Sequence, residues 1–380
     1  MSYITRNIEK DLISSLGKGK AILVYGPRQS GKSTLLRHLF NGRMEDVLWL
    51  DADMMDVRSL FHDPAPERFM SMMKGRKILV IDEAQRIESI GLAIKILVDN
   101  VKDVDVIATG SSAFELRNRT GEALTGRKME FYLMPFSYGE LASAYGALSE
   151  SRMLEDRLIY GSYPGVAVDL ASRDGELASL ASSYLYKDVL SLSGLHKPAI
   201  LEKLIRALAF QIGSEVSFQE LAGLVGADRK TVEKYVEILE RCFVLFRLCA
   251  FSRNLRNEIK KSVKIYFWDT GIRNAVIGNV LPLSSRPPEE VGHLWENYVI
   301  AERKKKMLNK PFPPIGYFWR THAQQEVDYV EESASGLSAY EIKWAQSRSH
   351  AISQVFAKAY PNAGINTVNR SNYADFLGSE

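Results

Sequence analysis

An apolar segment followed by a glycine-rich turn constrains the fold of this 380-residue chain more than any other feature. The segment "KAILVY" (20–25) has the composition of a buried strand, and "GPRQSGKS" (26–33) follows it directly. This octapeptide fits G-x-x-x-x-G-K-[S/T], a pattern whose glycines let the backbone wrap around phosphate oxygens while helix N-terminal amides point at the anion. The predicted phosphate-binding loop comprises Gly26, Pro27, Arg28, Gln29, Ser30, Gly31, Lys32, Ser33 and Thr34.

Two acidic residues after another apolar run complete the predicted nucleotide site. We expect Lys32 to contact the β- and γ-phosphates and Ser33 to ligate Mg²⁺. In "KILVIDEAQ" (77–85), Asp82 would hold the Mg²⁺ shell and Glu83 would polarise the attacking water. An acid directly after the metal-binding aspartate is typical of loop ATPases that activate water themselves. Because the chain has no Asn-Lys-x-Asp guanine signature, the predicted cofactors are ATP and Mg²⁺.

Further positions are candidates for responding to the γ-phosphate. The segment "IATGSSAF" (107–114) ends another apolar run, so Thr109 or Ser111 could sense that phosphate; an ordinary Gly-Ser turn is the alternative. Arg127 lies just before a later apolar run and a proline-containing loop. It is either an arginine finger presented to the ATP of a neighbouring subunit or a simple surface arginine, and its sequence context leaves both open.

Short apolar runs alternate with helical patterns over the first 135 residues. Near-continuous apolar runs suit the strands of a parallel sheet that is covered by helices on both faces. The runs are 20–25, 46–51, 77–82, 104–109 and 128–133, with a helical pattern at 89–101. The predicted fold class is α/β, with a P-loop nucleotide-binding core.

The middle of the chain has the spacing of a helix-turn-helix. In "VSFQELAGLVGADRKTVEKYVEILE" (216–240), Gly226 can take a positive φ in the turn and Asp228 can cap the second helix. A recognition helix places basic groups near its start at DNA bases or phosphates. The residues predicted to do so are Arg229, Lys230 and Lys234.

Two apolar runs flank a basic segment after this helix pair. The segment "SRNLRNEIKKSVK" (252–264) carries five basic residues against one acid. A winged helix with a basic wing would explain this composition, and so would a scaffold that binds only protein. The predicted DNA contacts of the wing are Arg253, Arg256, Lys260 and Lys261, and Lys264 is the fifth basic residue.

Acidic residues and a lysine near the C-terminus have the order of a nuclease core. They are Glu296 in a predicted helix (293–306), Asp328 in the second of two predicted strands (317–332), and Glu341 and Lys343 on one side of a third. This order resembles the PD-(D/E)xK core, in which carboxylates hold Mg²⁺ and the lysine stabilises charge at the phosphate; Val327 replaces the leading proline. A half-exposed strand pair shows the same alternation, and we expect no robust cleavage. The run "ERKKK" (302–306) supplies phosphate contacts or is a solvated helix end.

Several segments, taken in order, resemble a known family. They are "YITRNIEKDL", "VYGPRQSGKSTLL", "VIDEAQRI", "ATGSSAFEL", "LTGRKMEFYLMPFSYGEL", "GSYPGV" and "YLYKDVL". Together they are similar to the predicted AAA+ ATPases of bacteria and archaea that carry a C-terminal domain of unknown function. The resemblance covers nearly the whole chain and implies an AAA+ core with the strand order 5-1-4-3-2. It also implies that "LTGR" (124–127) carries the arginine finger.

The predicted organisation has four parts. They are an AAA+ P-loop ATPase core (1–136), a helical lid (137–200), a winged helix-turn-helix domain (201–280) and a PD-(D/E)xK nuclease-like domain (281–380). A loop rich in proline and serine, "PLSSRPPEE" (282–290), marks the last boundary.

Composition narrows the partners and the compartment. The net charge is only +3, so any DNA-binding surface must come from local clusters. Cys242 and Cys249 share one apolar stretch, which predicts buried, reduced thiols and favours the cytoplasm. The N-terminus lacks the apolar region of a signal peptide, and no run approaches the roughly 18 apolar residues that span a bilayer, so no membrane partner is expected.

The sequence therefore predicts a Mg²⁺-dependent AAA+ ATPase that remodels or translocates on DNA, duplex or branched. It would act as a homo-oligomer, of which a hexameric ring is one form. Two alternatives stay open. One is an ATP-gated conformational switch that binds protein partners, and the other is an ATP-controlled nuclease.

Overall fold

A computed structural model describes residues 3–62, 65–111, 124–183, 197–252, 262–321, 323–345 and 354–378. The chain divides into two compact units. The first comprises residues 2–135 and 241–243, and the second comprises 136–240 and 244–380.

The first unit is built on a five-stranded parallel sheet. Its strands are β1 (Ala21–Tyr25), β2 (Val47–Asp51), β3 (Ile78–Asp82), β4 (Asp105–Gly110) and β5 (Lys128–Tyr132). They lie in the order β2-β3-β4-β1-β5, so the predicted order 5-1-4-3-2 is confirmed. Every residue of β1 and β3 is buried, which explains their near-continuous apolar sequences.

The helices of this unit cover the sheet and position its loops. They are Glu9–Ser14, Lys32–Leu39, Met55–Leu60, Pro66–Met73 and Ile90–Asn100. Leu35 and Leu36, on the helix that follows the glycine-rich loop, pack with Ile22 and Val24 of β1 in the apolar core. This packing anchors the helix whose first turn faces the predicted phosphate site.

The second unit begins with a helical region. Its helices are Tyr138–Tyr145, Ala147–Arg152, Leu154–Tyr160, Pro164–Val168, Arg173–Ser183 and Pro198–Phe210. Ser137 and Glu140 form a reciprocal capping box at the first of them. Residues 184–196 of the predicted helical lid (137–200) lie outside the described residues. No helix in the described ranges is long and apolar enough to cross a membrane.

The helix-turn-helix is present with its predicted local features. Helices Phe218–Val225 and Arg229–Arg241 flank Gly226, which has a φ of 72°. The Asp228 carboxylate accepts a hydrogen bond from the Thr231 amide at 2.9 Å, which confirms the predicted cap.

A seven-stranded sheet runs through the rest of the second unit. Its strands are β6 (Glu215–Val216), β7 (Leu245–Ala250), β8 (Val263–Phe267), β9 (Ile315–Arg320), β10 (Glu326–Ser333), β11 (Gly336–Ile342) and β12 (Gly364–Val368). The order is β12-β11-β10-β9-β7-β8-β6, with β9 pairing in parallel with β7. The predicted boundary at 280/281 therefore falls between strands of one sheet. The remaining helices are Thr270–Ile277, Pro288–Met307, Gln354–Ala359 and Tyr373–Leu377.

The two cysteines differ in environment. Cys242 is buried, as predicted, but Cys249 is exposed, and both are free thiols. Cys249 lies on β7, where exposed and buried residues alternate, so the side chain points away from the core. The prediction that both thiols are buried is wrong for Cys249.

A buried aspartate fixes the turn that contains "GSYPGV". Asp269 accepts hydrogen bonds from the Ser162 amide at 2.8 Å and the Ile272 amide at 3.2 Å. Burial raises the pKa of Asp269 above its ordinary value. Gly161 has a φ of 77°, and a Cβ there would lie 2.0 Å from Asp269 Oδ1. Only glycine fits this position without displacing the carboxylate.

We therefore expect Gly161→Ala to lower the free energy of unfolding by at least about 2 kcal/mol, because it adds backbone strain and a clash with a buried carboxylate. Urea unfolding followed by tryptophan fluorescence measures this, since all the tryptophans except Trp49 lie in the second unit. The control is Gly175→Ala, in helix Arg173–Ser183, where a Cβ would meet nothing within 4 Å. Equal stability of the two variants would contradict the prediction.

Candidate nucleotide-binding site

The glycine-rich loop directly follows β1 and leads into helix Lys32–Leu39. Gly31 is the N-cap of that helix with a φ of 95°, and Gln29 also has a positive φ. A Cβ at Gly26 would lie 2.0 Å from the Leu133 carbonyl oxygen. The two motif glycines are thus required by a left-handed backbone and by a close approach to the segment after β5.

The lysine of the loop forms hydrogen bonds with carbonyl groups of the same loop. Lys32 is buried, and its Nζ donates to the carbonyl oxygens of Gly26 and Pro27, both at 2.9 Å. These carbonyls hold the ammonium group against the start of the loop. Phosphate oxygens are the stronger acceptors for a lysine in this position.

The sheet order brings the acidic pair to the same edge. β4 lies between β1 and β3, with Thr109 paired to Val24 and Ala108 paired to Ile81. Because all three strands are parallel, their carboxyl ends meet at one edge of the sheet, which is where ligands bind in open α/β sheets. Asp82 ends β3 at this edge.

Thr109 forms hydrogen bonds with both residues of the acidic pair. Its hydroxyl donates to Asp82 Oδ1 at 2.5 Å and accepts from the Glu83 amide at 3.0 Å. The threonine therefore orients the predicted Mg²⁺ ligand and the backbone of the predicted base. Its role as a γ-phosphate sensor stays a prediction.

Glu83 is held by two polar neighbours. Its φ is 52°, in the left-handed region, and its Oε2 accepts from Gln85 Nε2 at 2.5 Å and from Ser111 Oγ at 3.3 Å. Gln85 Nε2 also donates to Ser111 Oγ at 3.0 Å. Sequence reasoning missed Gln85, although its place two residues after Glu83 in "DEAQ" was a usable signal.

A second missed residue supports the loop from behind. Arg6 is 5% exposed, and its guanidinium donates to the carbonyl oxygens of Ser30 at 2.8 Å and Met134 at 2.6 Å. The arginine ties the N-terminal segment to both the phosphate loop and the segment after β5. Nothing local in the sequence indicates this pairing, because the two acceptors lie far apart along the chain.

Arg127 lies at the other end of the sheet. It directly precedes β5, and Lys128 pairs with Ala21 at the start of β1, whereas the loop follows the end of β1. A five-residue strand is about 16 Å long. The Arg127 side chain is 42% exposed and pairs with Asp99 at 2.6 Å.

The predicted DNA-contacting residues fall into two groups. Arg229, Lys230 and Lys234 are exposed on helix Arg229–Arg241, with Arg229 paired to Glu233 at 2.8 Å. The wing residues Arg253, Arg256, Lys260 and Lys261 lie outside the described residues. Lys264, counted with the basic segment, is instead 1% exposed in β8, so its assignment to a solvated wing is wrong.

The nuclease-like residues come together within the second unit. Lys343 Nζ lies 3.2 Å from Asp328 Oδ2 and 2.7 Å from Glu341 Oε1, and Glu296 pairs with Lys264 instead. Lys343 follows the last residue of β11 rather than lying within the strand. Burial raises the pKa of Glu296 to about 7.

The run "ERKKK" is neither a phosphate platform nor a solvated helix end. Glu302 and Lys305 are both buried and pair at 2.7 Å, and Arg303 forms an ion pair with Glu331 at 2.8 Å. Lys304 lies over the Phe246 ring, and burial lowers the pKa of Lys304. Most of this basic run is therefore engaged inside the unit, so both interpretations of it are wrong.

Sequence profiles of three known domain families match parts of this chain. The sequence profile of an AAA domain family matches residues 18–142. Profiles of two domains of unknown function, DUF8612 and DUF4143, match residues 151–282 and 291–374.

Several uncharacterized proteins and one solved ATPase structure are similar to this chain. Uncharacterized proteins of Mycobacterium tuberculosis and Mycobacterium bovis are each 26% identical over 346 residues, covering 89% of this chain and 73% of each relative. An uncharacterized protein of Haemophilus influenzae is 25% identical over 282 residues, covering 67% of this chain and 69% of the relative. A Walker-type ATPase of Pyrococcus abyssi aligns with a TM-score of 0.49 and 16% identity, covering 72% of this chain and 96% of that one.

The matched profile, the strand order and the loop geometry agree with one another. Residues 18–142, which contain this sheet and loop, match the AAA domain profile, and residues 291–374 match the DUF4143 profile.

Glu83→Gln is expected to keep ATP binding but to slow hydrolysis roughly 10²-fold or more, because the amide cannot polarise water as a carboxylate does. Steady-state phosphate release gives the rate, and fluorescent nucleotide titration gives the affinity. Glu88→Gln is the matched control, since Glu88 is an exposed glutamate of the same loop. A wild-type rate in Glu83→Gln would show that another group activates the water.

Proposed function

We propose that this chain is a Mg²⁺-dependent ATPase that couples ATP hydrolysis to DNA binding. One observation carries the hydrolytic part of the proposal. The parallel order β3-β4-β1 brings Lys32, Asp82 and Glu83 to one edge of the sheet, where Thr109 bonds both the Asp82 carboxylate and the Glu83 amide. This edge supplies a phosphate-binding cation, a carboxylate for a metal ion and a carboxylate for water.

The residues fit the cofactors that the site implies. The Ser33 hydroxyl and the Asp82 carboxylate are oxygen donors, which Mg²⁺ prefers. Bound Mg²⁺ would neutralise charge on the phosphates. Lys32 would exchange its loop carbonyls for the β- and γ-phosphate oxygens, and the helix N-terminus would complete the anion site. Glu83 would orient a water once it is released from Gln85 and Ser111.

Assembly follows from the position of Arg127. An arginine at the opposite end of the sheet from its own phosphate loop cannot reach its own ATP, since the strand alone spans about 16 Å. A second subunit would bring its Arg127 to this site once the Asp99 pair opens. We infer a homo-oligomer, of which a hexameric ring is one form, with the finger acting in trans.

The DNA part of the proposal comes from the second unit. Helix Pro198–Phe210, β6, the helix-turn-helix and the antiparallel pair β7–β8 follow one another in the order of a winged helix, with β8 pairing to both β6 and β7. We interpret this region as a winged helix. Helix Arg229–Arg241, the second helix of the helix-turn-helix, exposes three basic residues in its first half, where such domains contact duplex or branched DNA.

The C-terminal region is interpreted as a nuclease-like fold that does not cut. A helix, three antiparallel strands β9–β11, a further helix and the parallel strand β12 have the order of the PD-(D/E)xK core. The carboxylates that would hold a catalytic metal are paired with lysines. We infer that the region keeps the fold without the chemistry.

The Glu83 network favours the ATP-gated switch as the second candidate. A carboxylate bonded to both Gln85 and Ser111 is not free to bind water, which would keep turnover slow until the network rearranges. ATPase rates measured with duplex, single-stranded and branched DNA separate the two. Stimulation by DNA supports the coupled ATPase, whereas slow turnover that ignores DNA supports the switch.

Arg127→Ala is expected to lower turnover by roughly 10³-fold or more while ATP affinity is kept, as for other arginine fingers. Mixing Arg127→Ala with Lys32→Ala protein should restore part of the activity at mixed interfaces. Arg43→Ala is the matched control, because Arg43 is also an exposed arginine of this unit that pairs with an aspartate, Asp46, at 3.1 Å. A monomer by light scattering, with no recovery on mixing, would exclude action in trans.

Replacing Lys230 and Lys234 together by Ala should weaken duplex binding and flatten its salt dependence. Each lost phosphate contact should reduce the log–log slope by about 0.9. Fluorescence anisotropy at several salt concentrations measures the slope. The control replaces Lys203 and Arg206, exposed basic residues on helix Pro198–Phe210. An unchanged slope in the first variant would mean that this helix does not touch DNA.

A further inference from the structure

A cluster of carboxylates lies where the sheet of the second unit meets its long helix. Glu296 comes from helix Pro288–Met307, Glu326 and Asp328 from β10, and Glu341 from β11. The nuclease-like order implies a divalent cation among these groups. In the described ranges, however, no set of three or more acidic, histidine or cysteine side chains is arranged to hold a metal ion.

Lys264 places an ammonium group inside this cluster. Its side chain is 1% exposed, and its Nζ lies 3.2 Å from Glu296 Oε1 and forms a second ion pair with Glu326 Oε1. Both partners are carboxylates, so the buried ammonium group is compensated by two ion pairs.

The carboxylate oxygen of Glu296 that pairs with Lys264 accepts a second hydrogen bond. Tyr266, two residues after Lys264 on β8, donates its hydroxyl to the same Glu296 Oε1 at 2.5 Å. The lone pairs that a metal ion would need on this oxygen are already directed at two protein donors. Arg320 is a further cation beside this group, and its Nε lies 3.5 Å from Glu326 Oε2.

Asp328 is occupied in the same way. Its Oδ2 accepts from the Ile342 amide at 2.7 Å and from Lys343 Nζ at 3.2 Å, and Lys343 also pairs with Glu341. Four carboxylates thus face three cations, Lys264, Lys343 and Arg320. A divalent ion added to this set would have to displace existing bonds, and Arg320 is shared with Glu215, whose Oε1 lies 3.4 Å from Arg320 Nη1.

We propose that Lys264 is a built-in cation that occupies the place of a divalent metal ion among Glu296, Glu326 and Asp328. The C-terminal cluster is then a metal-independent arrangement, and removal of the lysine uncovers a divalent-cation site. The proposal goes beyond the ATPase and DNA-binding functions and does not rest on either.

The test measures Mn²⁺ binding without nucleotide, by electron paramagnetic resonance, in an Asp82→Asn background that removes the metal ligand of the ATP site. Asp82→Asn alone should bind no Mn²⁺ at the cluster. Adding Lys264→Met should produce one Mn²⁺ site per chain, with an apparent affinity at least roughly a hundredfold above the detection limit set by the Asp82→Asn protein, because buried carboxylates are left uncompensated. Adding Asp328→Asn as well should remove that site.

Lys305→Met in the same background is the matched control. Lys305 is also a buried lysine of the second unit, and its ammonium donates to Glu302 Oε1 at 2.7 Å and to the Phe136 carbonyl oxygen at 3.2 Å. It should gain no tight Mn²⁺ site.

Three results would overturn the proposal. The first is Mn²⁺ binding by Asp82→Asn alone that disappears with Asp328→Asn, since the lysine would then not exclude the metal. The second is a folded Lys264→Met variant that gains no site. The third concerns a Lys264→Met variant that is unfolded by circular dichroism: Mn²⁺ should restore its folded spectrum, and failure to do so would count against a hidden metal site.

Discussion

The parallel alignment of three strands is the constraint on which the nucleotide site depends. Parallel strands end at the same edge, so residues that are more than 50 positions apart in sequence become neighbours. β4 separates β1 from β3, and Thr109 on β4 bonds both Asp82 and the Glu83 amide. The central strand thus fixes the spacing between the phosphate loop and the acidic pair. The same alignment sends Arg127 to the far edge, so one sheet separates the hydrolytic groups from the predicted finger.

The second unit contains buried charged side chains that pair with side chains of opposite charge. Arg157 and Glu150 pair at 2.7 Å with side chains that are 5% and 1% exposed, and the buried Arg273 pairs at 2.9 Å with the partly exposed Glu290. Removing such charges from water costs several kcal/mol per ion, so these pairs are weak evidence for stability. Loss of one partner is expensive, about 3–5 kcal/mol, since it leaves an unpaired buried charge. The pairs therefore select one arrangement of helices and strands over others.

The features that the sequence predicted well are local ones. The phosphate loop, the five strands of the first sheet and the Gly226–Asp228 turn each depend on residues within one short segment. The missed features join distant segments. Arg6 bonds a carbonyl 128 residues away, and Gln85 meets Ser111 26 residues on. Hydrophobic periodicity and motif spacing do not predict such pairings, because the partners become neighbours only through the order of the strands in the folded sheet.

Lys264 shows where a local interpretation fails and what would have corrected it. Beside a basic segment, a lysine at the start of a strand looks like part of a solvated wing. β8, however, is covered on both faces, since Lys264, Ile265, Tyr266 and Phe267 are all buried. A period of two puts Lys264 and Tyr266 on one face, and both reach Glu296, which lies beyond the predicted boundary at 280/281. Strand β8 and helix Pro288–Met307 therefore share a buried ion pair, and Glu326 of β10 adds a second carboxylate to it.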